Sequence, residues 1–349
     1  MPAIWDLPDF DAHESVHVYE DRASGLKAVI AIHSTHLGPA AGGTRFWHYG
    51  DSQAAITDAL RLSRGMSYKN AMAGLPLGGG KGVVLANPSR TKTPEMLAAF
   101  GRAIDSLGGR YITAEDVGMS DADMVAISLE TPFVSGLPVT SGSAAGGDPG
   151  PFTARGVYLG IKAAAAHRLG VDTLNGIHVA VQGVGSVGGG VARLLAADGA
   201  RLTLADIDAN KCALLASELG AQVAVLEEIM TISADIFSPN ALGAILTEQS
   251  IAGLDCAIVA GGANNQMATP ADAQRLHDRG ILYAPDYVIN AGGIINVGWE
   301  YIGNVSIDEV NERIDLIPGR LGDIWTTSAR DNIPAAVVAD KMAQELIGR

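Results

Sequence analysis

Cysteine is scarce: the 349 residues hold two, Cys212 and Cys256, far apart and in no C-x-x-C pattern. That excludes a disulfide framework and offers no thiolate set for a structural metal, and no metal is expected. Basic residues are outnumbered, 24 Lys and Arg against 38 Asp and Glu, for a formal charge of −14. Such a surface repels nucleic acid and anionic membrane, and neither is an expected partner. No block of like charges reads as an interaction tail. A long apolar run is missing too. The run "GVYLGIKAAAAH" contains Lys162 and is too short to span a bilayer. The opening "MPAIWDLPDFDAHESVHVYED" carries acids and prolines where a signal peptide would carry an apolar core. A cytoplasmic protein with a small-molecule partner is expected.

Aromatics are also few, at 5%, yet 48% of the chain is apolar, which is a globular composition. The length exceeds one ordinary core, so two domains are expected. "HVYEDRASGLKAVIAIHS" predicts a hairpin turning at Ala23–Gly25. "DSQAAITDALRLSRGMSYKNAMAG" places apolar residues at helical spacing, among them Ile56, Leu60 and Leu62. "TPEMLAAFGRAIDSLG" predicts a helix capped by Thr93, with Pro94 first and a stop at Gly108. Gly, Ser and Pro then concentrate in "VSGLPVTSGSAAGGDPGPFTARG", which sets the expected boundary. Residues 1–136 form the first domain and 137–328 the second, with a C-terminal helix over 329–349 packing back on the first. A helical pattern runs from about Thr153 to His167.

The most informative stretch is "GIHVAVQGVGSVGGGVARLLAADGARLTLADIDANKCALLASELG". It reads as strand, glycine loop, helix, strand and helix, hence a βαβ unit in a parallel sheet. Later "ADIFSPNA", "LDCAIVAGGANNQ" and "ILYAPDYVINAGG" each look like a buried strand ending in a loop. Gly183-Val184-Gly185-Ser186-Val187-Gly188 matches G-x-G-x-x-G between a strand and a helix. Gly183 would make the turn, Gly185 admit the pyrophosphate and Gly188 let the helix pack. The helix N-terminus offers free N–H groups to phosphate. Asp206, closing the next strand, would bind the adenosine ribose and repel a 2′-phosphate, which favours NAD over NADP. The alternative for Asp206 is a helix cap, for which Asp208 is the better candidate. The pattern leaves Gly189 and Gly190 unexplained.

A dinucleotide domain names no substrate. "MSYKNAMAGLPLGGGKGVV", Met66–Val84, holds Lys69 and Lys81 around a glycine-rich run. The glycines either make a bend or bring backbone and ammonium close to something small. Together with "LGPAAGGTRFW", "YITAEDVG", "PFTARGVY", "VAVQGVGSVG", "AGGANNQ" and "YAPDYVINAGGIINV", this stretch resembles the glutamate/leucine/phenylalanine/valine dehydrogenase family, most of all its leucine and phenylalanine members. The resemblance covers nearly the whole chain. It implies an N-terminal α/β substrate and oligomerisation domain, a Rossmann-type doubly wound NAD domain, and a cleft between them that closes on substrate.

The resemblance also implies roles. Lys69 would bind the substrate carboxylate, Lys81 would be the catalytic lysine, and Asp116 would shuttle protons with the substrate nitrogen. Thr153 and Asn264 would position the nicotinamide and substrate, and Gly42 and Gly43 would let backbone close on the substrate. The side-chain pocket would be Ala41, Met66, Ala114, Ser135, Ile294 and Val297. The chemistry agrees. After hydride leaves Cα, water attacks an imine and needs a base, and a lysine can serve only if its pKa falls well below 10.4. Burial and a second cation push it down, and Lys69 would be that cation. The glycines would let the chain fold back so that both lysines face one zwitterion, while Glu115 points elsewhere.

The pocket residues are small or apolar, which disfavours glutamate. Ala41 stands where leucine enzymes carry leucine, whereas "TAED" and "VQGVG" resemble leucine enzymes. The expectation is NAD-dependent, reversible deamination of leucine, valine or isoleucine to the 2-oxo acid and ammonia. An aromatic amino acid such as phenylalanine is the alternative, and a non-catalytic NAD-binding module the second. A hydroxy-acid dehydrogenase would want a histidine–arginine pair, for which there is no motif. His33, His36, His48 and His167 have no metal-like spacing and read as structural. A homo-oligomer is implied, an octamer by resemblance, with dimer or tetramer open. The stretch 140–152 looks longer than the family's usual join.

Overall fold

The hairpin predicted around Ala23–Gly25 forms as β1 (Ser15–Asp21) and β2 (Leu26–Ser34), paired antiparallel. The computed structural model describes residues 3–7, 9–87, 91–137, 145–303 and 305–349. Residues 138–144, which take in the first part of the 140–152 join, lie outside the described residues. The chain divides into two units. The first is Met1–Gly147 with Asn296–Ile307 and Ala343–Arg349, and the second is Asp148–Ile295 with Asp308–Met342. No described helix is long and apolar enough to cross a membrane.

The first unit continues with β3 (Ala40–His48), α1 (Ser52–Met72), β4 (Gly78–Ala86), α2 (Pro94–Asp105), β5 (Tyr111–Glu115) and α3 (Asp121–Ser128). Local chemistry sets the helix starts: Asp51 accepts from Ala54 N, and Thr93 accepts from Met96 N ahead of Pro94, as predicted. The sheet order is β1-β2-β4-β3-β5, with β3 parallel to both β4 and β5. Side chains alternate between faces. Val83 joins Ala55, Ala59 and Leu60 of α1 in one core, while Val84 joins Phe100, Tyr111 and Ile127 in the other. Lys81, two residues before Val83, therefore lies on the α1 face.

The triple glycine does not make a bend. Gly78, Gly79 and Gly80 are extended residues of the central strand β4, and the chain reverses at Gly74, φ +69°. A Cβ at Gly79 would stand 2.1 Å from the Ser67 backbone N, so the missing side chain is what lets α1 lie on the strand.

The second unit holds α4 (Gly150–Leu169), β6 (His178–Gln182), α5 (Ser186–Ala197), β7 (Arg201–Ala205), α6 (Ala209–Leu219), β8 (Gln222–Val223) and β9 (Ile236–Pro239). After these come α7 (Glu248–Gly253), β10 (Ile258–Val259), α8 (Ala271–Asp278), β11 (Leu282–Tyr283) and α9 (Asp286–Ile289). The parallel sheet runs β11-β10-β9-β6-β7-β8. Strand order reverses at β6, the doubly wound arrangement whose crevice receives a ligand at the strands' C-terminal ends. Helix α5 begins at Ser186, earlier than the apolar pattern suggests, because Gly188, Gly189 and Gly190 are helical. A Cβ at Gly190 would meet Ala154 Cβ at 2.8 Å, so this glycine lets α4 approach α5. Helix α4 likewise begins three residues early, at Gly150, since Pro151 fits a first turn. "ILYAPDYVINAGG" holds only the two-residue β11 before turning helical at Asp286.

The chain continues through α10 (Gly292–Ile302), α11 (Ile307–Ile314), α12 (Ile317–Asp331) and α13 (Ala335–Leu346). Residues 296–307 return to the first unit. Asn296 exchanges hydrogen bonds with the Gly146 backbone, and Glu300 Oε1 accepts from Gly136 N and Leu137 N. At the C-terminus Gln344 donates to Tyr68 Oη at 2.9 Å. The Arg349 guanidinium donates to the carbonyls of Asp11, Ala12 and His33 and to His33 Nε2.

Candidate active site

Period-2 alternation along β4 turns Lys81 toward α1, and the end of β5 delivers Asp116 beside it. Lys81 Nζ donates to Asp116 Oδ2 at 2.5 Å, and the lysine is 5% exposed. Burial lowers the Lys81 pKa against the opposing pull of Asp116, and the positive charge of Arg45 lowers it further. Burial opposes the Asp116 charge, but Lys81 and Arg45 outweigh it and hold the carboxyl below its ordinary range. A cation pressing on Lys81 is thus Arg45 of β3, which the sequence left without a role. Arg45 Nε donates to Asp116 Oδ2 at 3.2 Å and its Nη1 to Asp58 Oδ2 at 2.9 Å. Asp58, on α1, also accepts from Tyr49 Oη at 2.6 Å and Arg61 Nη2 at 2.9 Å.

Lys69 lies in the last turn of α1, two residues beyond Ser67, the residue that touches Gly79. Gly42 and Gly43 close on protein backbone: a Cβ on Gly42 would meet Gly80 O at 1.9 Å and Met66 Cγ at 3.1 Å. A Cβ on Gly43 would meet Glu115 O at 2.5 Å and Asp116 Cβ at 2.9 Å. Ala41 pairs in register with Ile112, and Gly43 with Ala114. Ser135 bonds through its N to Thr113 O and through its hydroxyl to Val297 O. Ala41, Met66, Lys69, Lys81, Ala114, Asp116, Ser135 and Val297 thus all belong to the first unit. Glu115 turns away, toward Asp121 and Asp123 of α3.

Ile294, Thr153 and Asn264 belong to the second unit. Thr153 Oγ1 donates to Pro149 O within the first turn of α4, and Asn264 Oδ1 accepts from Asn290 Nδ2. The glycine loop fits a dinucleotide. Gly183 has φ +87°, a left-handed conformation that favours glycine. Gly188 packs where a Cβ would lie 1.9 Å from Gly183 O, whereas the space around Gly185 is open. No side chain caps α5, and an uncapped helix start is able to offer N–H groups to a phosphate. Asp206 Oδ2 accepts from Val184 N at 2.6 Å, so it braces the loop. Asp208, as expected, caps α6 by accepting from Lys211 N.

Two family models match the chain: "Glu/Leu/Phe/Val dehydrogenase, dimerisation domain" over residues 12–132 and "Glutamate/Leucine/Phenylalanine/Valine dehydrogenase" over residues 203–343. The chain is 48% identical over 335 residues to leucine dehydrogenase of Geobacillus stearothermophilus, covering 96% of this chain and 90% of that protein. The chain belongs to the Glu/Leu/Phe/Val dehydrogenase family. It is 44% identical over 340 residues to valine dehydrogenase of Streptomyces albus, covering 97% and 93% of the two chains. Its structure matches that of L-tryptophan dehydrogenase from Nostoc punctiforme with a TM-score of 0.87, 42% identity and 96% coverage of each chain. As a member of the Glu/Leu/Phe/Val dehydrogenase family it is an amino-acid dehydrogenase, and the rival reading as a non-catalytic module falls away.

Proposed function

We propose that the enzyme oxidatively and reversibly deaminates branched-chain L-amino acids, leucine, valine and isoleucine, with NAD as acceptor. The observation that carries this is the contact between buried Lys81 and half-buried Asp116 at 2.5 Å, together with the small and apolar residues of the proposed side-chain pocket. Bound NAD⁺ supplies the oxidant: amino acid, NAD⁺ and water become 2-oxo acid, ammonium, NADH and a proton. Lys81, its proton affinity reduced by burial, accepts a proton from the water that adds to the imine carbon. Asp116, which shares a proton-bearing contact with Lys81, passes that proton to the departing nitrogen. Lys69 holds the substrate carboxylate. The carboxylate of Asp206 disfavours a 2′-phosphate, and the apolar Ile207 beside it, 90% exposed, adds no cation to hold one.

Ala41, 7% exposed, is a small residue in the proposed side-chain pocket, and the tryptophan dehydrogenase is among the relatives of this chain. These two observations support an aromatic substrate as the second reading. A methylene is worth only about 1–3 kcal/mol in an apolar pocket, so the preference is graded. The test follows NADH absorbance at alkaline pH with leucine, valine, isoleucine, phenylalanine, tryptophan and glutamate, and with NADP⁺ in place of NAD⁺. Faster turnover of the branched set with NAD⁺ is expected. Faster aromatic turnover moves the assignment to the second reading, and faster glutamate turnover contradicts both. We further propose a homo-oligomer built through the first unit, which the name of its matching family model supports. Sedimentation equilibrium gives the subunit number, an octamer being expected. The unpaired Cys212 and Cys256 fit a cytoplasmic enzyme.

A further inference from the structure

A row of charged contacts leads outward from Lys81. It runs through Asp116 to Arg45, then to Asp58, and ends on Tyr49 and Arg61. The last four also line an open hollow with Trp47 and Asp51. Three elements and two connecting segments contribute: β4, β3, α1, the segment after β3 that carries Tyr49, and the segment after β5. Lys81 and Arg45 donate to the same oxygen, Asp116 Oδ2, which leaves that carboxylate little freedom to swing. Around Lys81, β3 presents Arg45, α1 presents Asp58 and carries Lys69, the segment after β5 presents Asp116, and β2 contributes the apolar Ala31 in register.

We propose that Arg45 and Asp58 are positioning residues for the deamination: Arg45 pins Asp116 against Lys81, and Asp58 holds Arg45 and balances its charge. The inference rests on the reading of Lys81 and Asp116 as proton carriers. Its physical content is a sign. Arg45 adds positive charge near Lys81 and favours the neutral amine, whereas Asp58 subtracts from that charge. Removing one or the other therefore moves Lys81 in opposite directions. A residue that only props up the fold moves it in one direction, toward ordinary lysine, as the site loosens and hydrates.

The test compares the full-length enzyme with Arg45→Met, Arg45→Lys and Asp58→Asn. The acetylation rate of Lys81 by acetic anhydride is followed across pH by mass spectrometry, which needs no turnover. The pH profiles of kcat and KM are recorded beside it, and thermal melting reports folding. In Arg45→Met the Lys81 midpoint rises by roughly half to one pH unit, and in Asp58→Asn it falls by a similar amount. Arg45→Lys restores most of the midpoint but not kcat, since an ammonium cannot bridge two carboxylates as a guanidinium does. KM for the amino acid changes less than kcat. Unmoved midpoints in folded Arg45→Met and Asp58→Asn, or midpoints that move the same way, overturn the proposal. If Arg45→Met does not fold, Asp58→Asn alone decides by its sign. Wild-type enzyme that labels as expected yet turns over no amino acid overturns the amino-acid reading and leaves the electrostatic one standing.

Discussion

In the first unit, Lys81, Asp116, Arg45 and Asp58 meet through side chains carried on β4, β3, α1 and the segment after β5. In the second, the loop between β6 and α5 offers mainly backbone: an uncapped helix start, a left-handed Gly183 and open space at Gly185. The two sites therefore fail differently. A side-chain site depends on burial and on paired charges, and a neutralising substitution disables it while the backbone stands. A backbone site depends on φ and close approach, and a single added Cβ disables it while every charge remains. Glycine serves both units by different means. In β4 it lets a helix lie on a strand, and in the loop it permits a conformation that other residues adopt only at a cost of about 1–2 kcal/mol.

That contrast can be broken by substitution, and the largest effect is expected at Asp116. Asp116→Asn keeps the shape and removes the charge, and should lower kcat about a thousandfold with NAD affinity unchanged in a calorimetric titration. Gly43→Ala comes next. Its Cβ would collide with Glu115 O and crowd Asp116, so kcat should fall about a hundredfold through misplacement, again with NAD affinity kept. Gly183→Ala should invert the pattern. The left-handed φ and the contact with Ala241 should weaken NAD binding about tenfold, while Lys81 labels at its wild-type midpoint. A Gly183→Ala variant that shifts Lys81, or a Gly43→Ala variant that loses NAD, would end the division between the two sites.

The smallest effect concerns stability rather than chemistry. Burial, and then the nearby Arg349 and His13 charges, lower the His33 pKa to about 4. Unfolded histidine titrates near 6.5, so between these values the unfolded chain binds more protons. Stability is complete above 6.5 and drains away as pH falls toward 4. Melting temperatures at pH 7, 6 and 5 should fall more steeply in the wild type than in His33→Gln. Arg349→Ala, which removes a neighbouring cation, should flatten the slope while lowering the melting temperature throughout.

Local chemistry was legible wherever a residue acts on its neighbours. Thr93, Pro94 and Asp208 marked helix starts, two β-rich runs around the turn at Ala23–Gly25 marked the hairpin, and the glycine hexapeptide between strand and helix marked the dinucleotide loop. Tertiary causes were not. Gly79 and Gly190 look like strand and helix breakers because the partners that require them, Ser67 and Ala154, lie on other elements. The return of residues 296–307 to the first unit depends on Asn296 meeting Gly146 and Glu300 meeting Gly136, contacts over more than a hundred positions. Lys81 and Asp116 stand 35 residues apart, and only the resemblance of several ordered motifs drew them into one site. Arg45 stood within one of those motifs without a role, because its partners Asp116 and Asp58 come from separate elements.

The most direct test of the account is turnover by Lys81→Met, followed as NADH absorbance with leucine at alkaline pH. The account predicts a loss of a thousandfold or more in a folded protein that still binds NAD as the wild type does. Turnover within a few-fold of wild type would contradict it, because the proton that the imine chemistry needs moved would then have another carrier.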